Sequence, residues 1–373
     1  MRRKLLMVGR TRYTLPLDGS LARKFDALSA ELDVRVLAAR PRGARAHDSR
    51  FRLYGPVAPG KLEGALFWSL FPFRVALELR ASRPDAVLSQ GGHETALVLL
   101  GRALARMPTK VIMDLHGDPG ASTRLYGSPL RRVLAPLGDA MTRIALRRAD
   151  AARTISGYTT RLAQERGIEP AATFPAYMDL EPFLAPTVQP PSVPIALFVG
   201  VLERYKAVDV LADAWRLVAS RVPGARLRVV GRGTMTSTVE RLVAELPGGV
   251  EWTPHLSTPE IAAALDEATL LVLPSRSEGL GRIVIEAFCR ARPVVGSRVG
   301  GILDLVEDGV AGLLVPPGDP VALADALARA LTEPGLAARL GEAARLAAEP
   351  WLASPQEYAR RVRDLVEDTV AAT

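Results

Sequence analysis

Two carboxylates with seven residues between them, Glu278 and Glu286, bracket the stretch Ser277-Glu278-Gly279-Leu280-Gly281-Arg282-Ile283-Val284-Ile285-Glu286-Ala287. The run before it, Leu270-Leu271-Val272-Leu273-Pro274, reads as a buried strand. A strand, a glycine loop and a helix start form an anion cradle: glycines let backbone N–H groups approach, and the helix N-terminus adds partial positive charge. Carboxylates beside such a cradle would repel a phosphate, so they suit hydroxyl groups instead. Phosphate and polyol together suggest a nucleotide-sugar. Glu286 has a second reading, a plain ion pair with Arg282 or Arg290, each four residues away on one helix face. Its apolar neighbours Val284, Ile285, Ala287 and Phe288 predict a buried helix, in which a carboxylate needs partners.

The second chemical signal is a lysine. Arg serves almost everywhere a cation is wanted, and after Lys110 the only lysine is Lys206. An ammonium is a compact point charge and a guanidinium a planar fork, so this choice marks a site where the compact charge matters, unless Lys206 is an ordinary surface lysine. It follows Ile195-Ala196-Leu197-Phe198-Val199-Gly200, a strand running into a glycine, and so lies past a strand's C-terminal end. Ligands bind there in open parallel sheets.

In order and spacing these elements resemble the retaining glycosyltransferases of family 4. The resemblance covers most of the chain and is strongest from about residue 195 to 317. The family's two glutamates match Glu278 and Glu286, its strand-glycine-lysine element matches Gly200 and Lys206, and its later Gly-Gly turn with a following acid matches Gly300, Gly301 and Asp304. Its "GLLVPPGD" segment matches Gly312 to Asp319. The resemblance implies the GT-B fold: two Rossmann-like, doubly wound α/β domains facing across a cleft. It implies that Lys206 and Arg204 grip the donor diphosphate near Gly200. Glu286 would accept from ribose hydroxyls, and Glu278 with the amides of Gly279, Leu280 and Gly281 would hold sugar and phosphate. His116, in Met113-Asp114-Leu115-His116-Gly117-Asp118, would approach the donor sugar; Lys206, Glu278 and His116 are the catalytic candidates. Without the resemblance, His116 reads as a satisfied structural residue. Gly19, in the glycine loop after the first strand, would face donor phosphate or acceptor. Gly91, Gly92 and His93 form a further loop on the acceptor side, or only a tight turn. The family usually has Arg where Val201 stands, and commonly Gly where Ala207 follows Lys206. Arg204 lies close enough in sequence to substitute for that missing Arg; otherwise diphosphate binding leans on Lys206 and backbone amides.

The expected substrate is a UDP-, GDP- or ADP-sugar, with no cofactor and no metal. Asp114 and Asp118 lack the single-residue spacing of a DxD motif, and His and Cys clusters are absent. Ser156 is expected to cap a helix rather than act as a nucleophile. The lone Cys289 falls in the apolar helix and reads as a packed thiol.

At 373 residues and 48% hydrophobic content, two ordinary domains are expected. Apolar strands alternate with helical patterns in both halves, which implies parallel sheets covered on both faces. The expected division is residues 1–186 plus 351–373 as an acceptor-side domain with a returning C-terminal helix, 187–194 as a proline-rich linker, and 195–350 as the donor domain. Trp351 would anchor the crossover or simply pack in the core. No signal peptide or spanning segment is read, so a cytoplasmic location is expected.

Residues 1–110 hold 20 Lys or Arg against 9 Asp or Glu, a surplus of 11, whereas the whole chain carries +8. This basic half, with arginines from Arg40 through Arg52 and the aromatic run Leu66-Phe67-Trp68-Ser69-Leu70-Phe71-Pro72-Phe73, suggests contact with an anionic membrane surface. The plainer reading is an internal helix and scattered arginines. No nucleic-acid motif accompanies the charge. The expected reaction is therefore hexosyl transfer to an acceptor hydroxyl, with a lipid-linked or cell-envelope glycan as partner at the inner face of the plasma membrane. A sugar-nucleotide epimerase of the same fold, or a non-catalytic binder, is the alternative. A dinucleotide oxidoreductase is disfavoured, because Gly231-Arg232-Gly233 lacks a third glycine.

Overall fold

The structure is a computed structural model that describes residues 2–41, 47–55, 62–118, 135–186, 188–189 and 193–372. Arg42 and Arg45 of the basic loop and four residues of the expected linker, 187 and 190–192, lie outside the described residues. The chain forms two compact units, residues 1–120, 134–177 and 353–373 in one and 121–133 and 178–352 in the other.

Unit one is built on a parallel sheet of seven strands: β1 (Lys4–Arg12), β2 (Asp33–Ala39), β3 (Phe51–Tyr54), β4 (Ala86–Gln90), β5 (Lys110–Leu115), β6 (Ala151–Thr154) and β7 (Ala172–Thr173). Their spatial order is β3-β2-β1-β4-β5-β6-β7. Successive side chains on a strand point to opposite faces, so a strand covered on both sides must be apolar at consecutive positions. Leu5 and Leu6 show the result. Leu5 packs with Phe25, Ile112, Tyr358 and Leu365 on one face. Leu6 packs with Phe71, Val75, Val98 and Val111 on the other. The first face is covered by α1 (Gly19–Glu31) and by the helix of residues Pro355–Ala371, which therefore completes the core of unit one. The second is covered by α2 (Leu62–Ser82) and α3 (Gly91–Ala105), with α4 (Ala135–Arg148) packed beside α3.

Part of the aromatic run assigned to a membrane surface is core. Phe67 and Phe71 are buried in α2, and Trp68 is half-buried edge-on against both. Phe73 alone of the run's phenylalanines is exposed. The basic stretch is partly neutralised within the unit: Arg50 pairs with Asp48 and Asp26, and Arg52 with Glu78.

Unit two carries six parallel strands, β8 (Ile195–Val199), β9 (Arg226–Val230), β10 (Val250–Thr253), β11 (Leu270–Leu273), β12 (Val294–Ser297) and β13 (Gly312–Val315). They are ordered β10-β9-β8-β11-β12-β13. One face buries Trp215, Phe198, Val272 and Leu323 in a single cluster. Both sheets reverse direction of build beside their first strand, the doubly wound pattern of Rossmann-like folds.

Candidate functional site

In unit two the reversal falls between β8 and β11, so the loops leaving those two strands diverge and leave a crevice at the C-terminal sheet edge. The loop after β8 is held tightly. Gly200 and Leu202 donate to the Val230 and Arg232 carbonyls, both at 3.0 Å. The Glu203 carboxylate accepts from the Thr234 N–H and hydroxyl at 3.1 and 2.7 Å. Gly231, with φ +141°, lets this happen, since a Cβ there would fall 1.9 Å from the Gly200 oxygen. The loop closes in a short 3₁₀ turn, Arg204–Lys206, ending at Ala207 in the left-handed region (φ +53°). A glycine would take that conformation without steric cost, which explains the residue the family prefers there.

The loop after β11 meets it. The Lys206 ammonium donates to Glu278 Oε2 at 2.5 Å, with side chains only 10% and 14% exposed. Ser275 Oγ is 3.5 Å from the same oxygen. Arg276, which the sequence reading passed over, ties the two loops together. Its guanidinium forks onto Asp209 at 2.7 and 2.8 Å and donates to the Arg204 carbonyl at 2.9 Å. Its backbone N–H donates to the Tyr205 carbonyl at 2.7 Å. That ion pair joins residues 67 apart in sequence, so no local pattern signals it.

From Glu278 the chain passes Gly279, Leu280 and Gly281 into α9 (Arg282–Cys289; α5 to α8 are Gly157–Gln164, Val208–Arg221, Thr236–Glu245 and Thr258–Asp266). Gly281, with φ +87°, is the N-cap and supplies no side chain; the Val284 N–H is taken by the Gly281 carbonyl at 2.8 Å, and those of Arg282 and Ile283 have no side-chain cap. Gly300 and Gly301 press against this loop. A Cβ on Gly300 would stand 2.1 Å from the Glu278 oxygen, and one on Gly301 2.3 Å from the Gly279 oxygen. Gly301 N–H also donates to the Glu278 carbonyl at 2.9 Å. The Gly-Gly turn is thus a seat that only glycines fit.

Glu286 faces inward on α9, 7% exposed, and burial raises its carboxyl above the ordinary range against the opposing pull of Arg282. Its Oε1 accepts from Arg282 at 2.5 Å, the helix-face pairing that was one of the two readings. Among the described residues its Oε2 makes no hydrogen bond. Arg204 is exposed and pairs with no carboxylate among the described residues. Burial pushes the Cys289 thiol up to about 11, so it is a packed, inert sulfur.

The remaining candidates belong to unit one. His116 follows β5 and its Nε2 lies 2.7 Å from Asp114 Oδ2. Burial would raise the Asp114 carboxyl, but the Arg153 and His116 charges outweigh it and hold the carboxyl below its ordinary value. An ionised Asp114 only accepts, so Nε2 carries a proton toward it. Arg153, itself buried, backs Asp114 at 3.3 Å and stacks on Phe174 at 4.3 Å. Gly19 opens α1 behind Asp18, which caps Leu21 N–H. Gly91 has φ +74°, and Gly92 is pressed so closely on α4 that a Cβ would reach within 2.3 Å of Thr142. Both have turn and packing reasons to be glycine. His93 is kept below its usual value by burial, against the opposing charge of Asp139. Ser156 caps its helix by accepting from Thr159 N–H.

A family profile described as "Glycosyl transferase 4-like domain" matches residues 19–175, and one described as "Glycosyl transferases group 1" matches residues 193–333. The chain belongs to the family 4 glycosyltransferases. Within that family, it is 35% identical over 192 residues to D-inositol 3-phosphate glycosyltransferase of Frankia alni, covering 48% of this chain and 47% of that protein. This chain spans less than half the length of the curated relatives it matches. Among solved structures, sucrose-phosphate synthase of Thermosynechococcus elongatus superposes over 100% of both chains with TM-score 0.79 at 20% identity. Anabaena HepE in complex with UDP and glucose does so over 100% of both chains with TM-score 0.68 at 18% identity. These likenesses give the fold, two Rossmann-like units of the GT-B class.

Proposed function

We propose that this family 4 chain is a retaining hexosyltransferase that takes a nucleotide-diphosphate-sugar as donor and works without a metal ion. The observation that carries the reading is the Lys206–Glu278 contact at the β8/β11 crevice, beside the N–H groups at the start of α9 that no side chain caps. During transfer the bond from the anomeric carbon to the diphosphate breaks as the bond to the acceptor oxygen forms, and negative charge collects on the leaving diphosphate. Lys206, the exposed Arg204 and the amides of Gly279 to Gly281 are fixed before reaction and meet that charge without reorganising, a term worth about 10²- to 10³-fold per lost donor. Glu278 accepts from the sugar and is kept in place by Lys206. Glu286 Oε2 accepts from the ribose. Gly200 lets the diphosphate approach the backbone. His116 offers Nδ1 to the sugar, and Gly19 lies with the phosphate or acceptor. His93 and its glycines serve the acceptor.

For the donor we carry over the nucleotide-sugar class, which accords with the UDP and glucose held by HepE. For the acceptor we retain a lipid-linked or cell-envelope glycan presented at the inner face of an anionic membrane. Support comes from apolar side chains standing out from neighbouring helices: Phe73 (59% exposed) and Leu77 (63%) on α2, and Leu100 and Leu104 on α3. Exposed Arg80 and Arg106 flank them. No helix among the described residues is long and apolar enough to cross a membrane.

Thermal shift with UDP-, GDP- and ADP-glucose, followed by transfer from the stabilising donor, tests the reading. One donor raises the melting temperature, and its sugar appears on an acceptor with the α configuration kept. Binding without turnover, or an epimer formed without acceptor, overturns it in favour of a binder or an epimerase. Sedimentation with phosphatidylglycerol vesicles tests the surface. Phe73→Ser with Leu77→Ser abolishes co-sedimentation, and equal recovery of wild type and variant removes the membrane from the proposal.

A further inference from the structure

A guanidinium is out of place inside a covered strand. Arg153 is the third of the four residues of β6 and is 1% exposed. In register it stands directly across from Asp114 of β5. Neighbours across a pleated sheet point to one face. Ile112, two residues before Asp114, belongs to the cluster under α1 and the helix of residues 355–371, so alternation sends Asp114 and Arg153 to that face as well. There the guanidinium lies over the Phe174 ring at 4.3 Å and the Tyr358 ring at 5.9 Å. Its Nη1 donates to the Tyr358 hydroxyl at 3.5 Å. Its Nε is 3.3 Å from Asp114 Oδ1, but neither Nε nor Nη2 makes an aligned hydrogen bond among the described residues.

Stability does not account for this pair. Taking both ions out of water costs about as much as their attraction returns, and a packed apolar pair of similar volume is commonly as stable or more so. Three groups instead stand in a row. Arg153 faces Asp114 Oδ1, and the other oxygen, Oδ2, meets His116 Nε2 at 2.7 Å. Side-chain exposure rises along the row from 1% through 5% to 38%, so only the last member can meet a ligand. Burial alone disfavours the Asp114 carboxylate. Of the charges that oppose burial, Arg153 acts most strongly, ahead of His116 and of Lys24 on α1. The Lys24 ammonium lies over the Phe25 and Tyr358 rings, at 5.2 and 5.7 Å. Glu94 of α3 is the other acid within electrostatic reach of His116. Without Arg153 the buried carboxyl keeps a proton and can donate as well as accept, and the contact no longer dictates which ring nitrogen is protonated.

We infer that Arg153 is a positioning residue for His116: it keeps Asp114 a pure acceptor, and Asp114 holds the imidazole with a proton on Nε2 and that edge turned inward. Phe174 and Tyr358 keep the guanidinium in place, so the returning helix serves His116 as well as the core. The role in transfer rests on the function proposed above; the fixing of the ring does not.

The test reads the His116 ring by 15N-edited spectra, assigned by their loss in His116→Gln, at about pH 8, above the ordinary histidine range. Wild type holds the Nε2 proton, and Arg153→Lys, which keeps a charge beside Asp114, retains it. Arg153→Met gives averaged ring nitrogens. The paired variant Arg153→Met with Asp114→Leu, which strands no ion and so keeps its fold, does the same. In the transfer assay, with the donor that stabilises the protein, kcat falls about 10- to 100-fold in Arg153→Met while donor KM stays within about threefold. In the His116→Gln background the same substitution lowers kcat no further. Averaged ring nitrogens in the wild type, or an Nε2 proton held equally in wild type, Arg153→Met and the paired variant, overturn the inference. So does a loss of kcat that adds in full to that of His116→Gln, which marks damage to the fold rather than to the ring. The expected spectra without any sugar transfer leave Arg153 in this role and remove the transferase reading alone.

Discussion

Replacing Lys206 by Met and Glu278 by Gln, singly and together, separates what the pair does for the fold from what it does for the donor. The two groups touch at 2.5 Å and are about nine-tenths covered. At an effective dielectric near 20 their attraction is about 7 kcal/mol, and removing both ions from water costs several kcal/mol each. The net stability of the intact pair is therefore small, while either single change strands one buried charge and costs about 3–5 kcal/mol. The double variant recovers most of that loss, giving a coupling energy of about 5 kcal/mol or more in a urea-denaturation cycle. Donor affinity behaves differently. Lys206→Met loses diphosphate contact with or without Glu278, so UDP-glucose and UDP weaken together by about 100-fold. Glu278→Gln weakens the sugar-nucleotide while sparing UDP. Recovery of full donor affinity in the double variant would refute this reasoning, since it would reduce Lys206 to a counter-ion for Glu278.

Gly300→Ala drives a methyl group into the Glu278 carbonyl; we expect about 1–3 kcal/mol of destabilisation by chemical denaturation and transfer reduced by at least tenfold. Arg276→Lys loses the fork on Asp209 and the hold on the Arg204 carbonyl, so donor KM rises about tenfold with little change in melting temperature. Ala207→Gly relieves a left-handed alanine and stabilises by about 1 kcal/mol in urea melts, leaving turnover unchanged. Glu94 has a folded-state pKa near 7, above its unfolded value of 4.5. The native state thus binds the extra proton between those values, and stability falls as pH rises through that window. Glu94→Gln removes the effect: its melting temperature exceeds that of wild type at about pH 8, by up to about 3 kcal/mol of stability, and matches it at about pH 4.5.

The central strands were legible because a parallel strand covered on both faces must be apolar at consecutive positions, as Leu270–Leu273 is. The edge strands were not. Phe51–Tyr54 is four residues long with Arg52 inside it, and Ala172–Thr173 is two residues of no periodicity at all. Lys206 and Glu278 could be found from residue type and position after a strand, and the Arg282–Glu286 pairing from helical spacing. Arg276 with Asp209 could not, since what makes them matter is a contact across loops from different strands. Glu94 was visible as a letter but not as a half-buried acid, because its surroundings depend on β1 and β5 bringing Arg10 and His116 toward it. The aromatic run of α2 misled for the same reason: composition shows the rings, and only packing shows which of them face inward.

The helix of residues 355–371 fills the face of unit one on which Leu5 and Phe25 lie. The ribosome delivers that helix only after all of residues 178–352, a delay on the order of ten to forty seconds at ordinary elongation rates. Through that interval the first-made half of the polypeptide exists with a sticky trough along its sheet, while the later-made half can already finish. Synthesis order and maturation order are thus inverted: the first-made half cannot close its apolar face until the chain is almost finished.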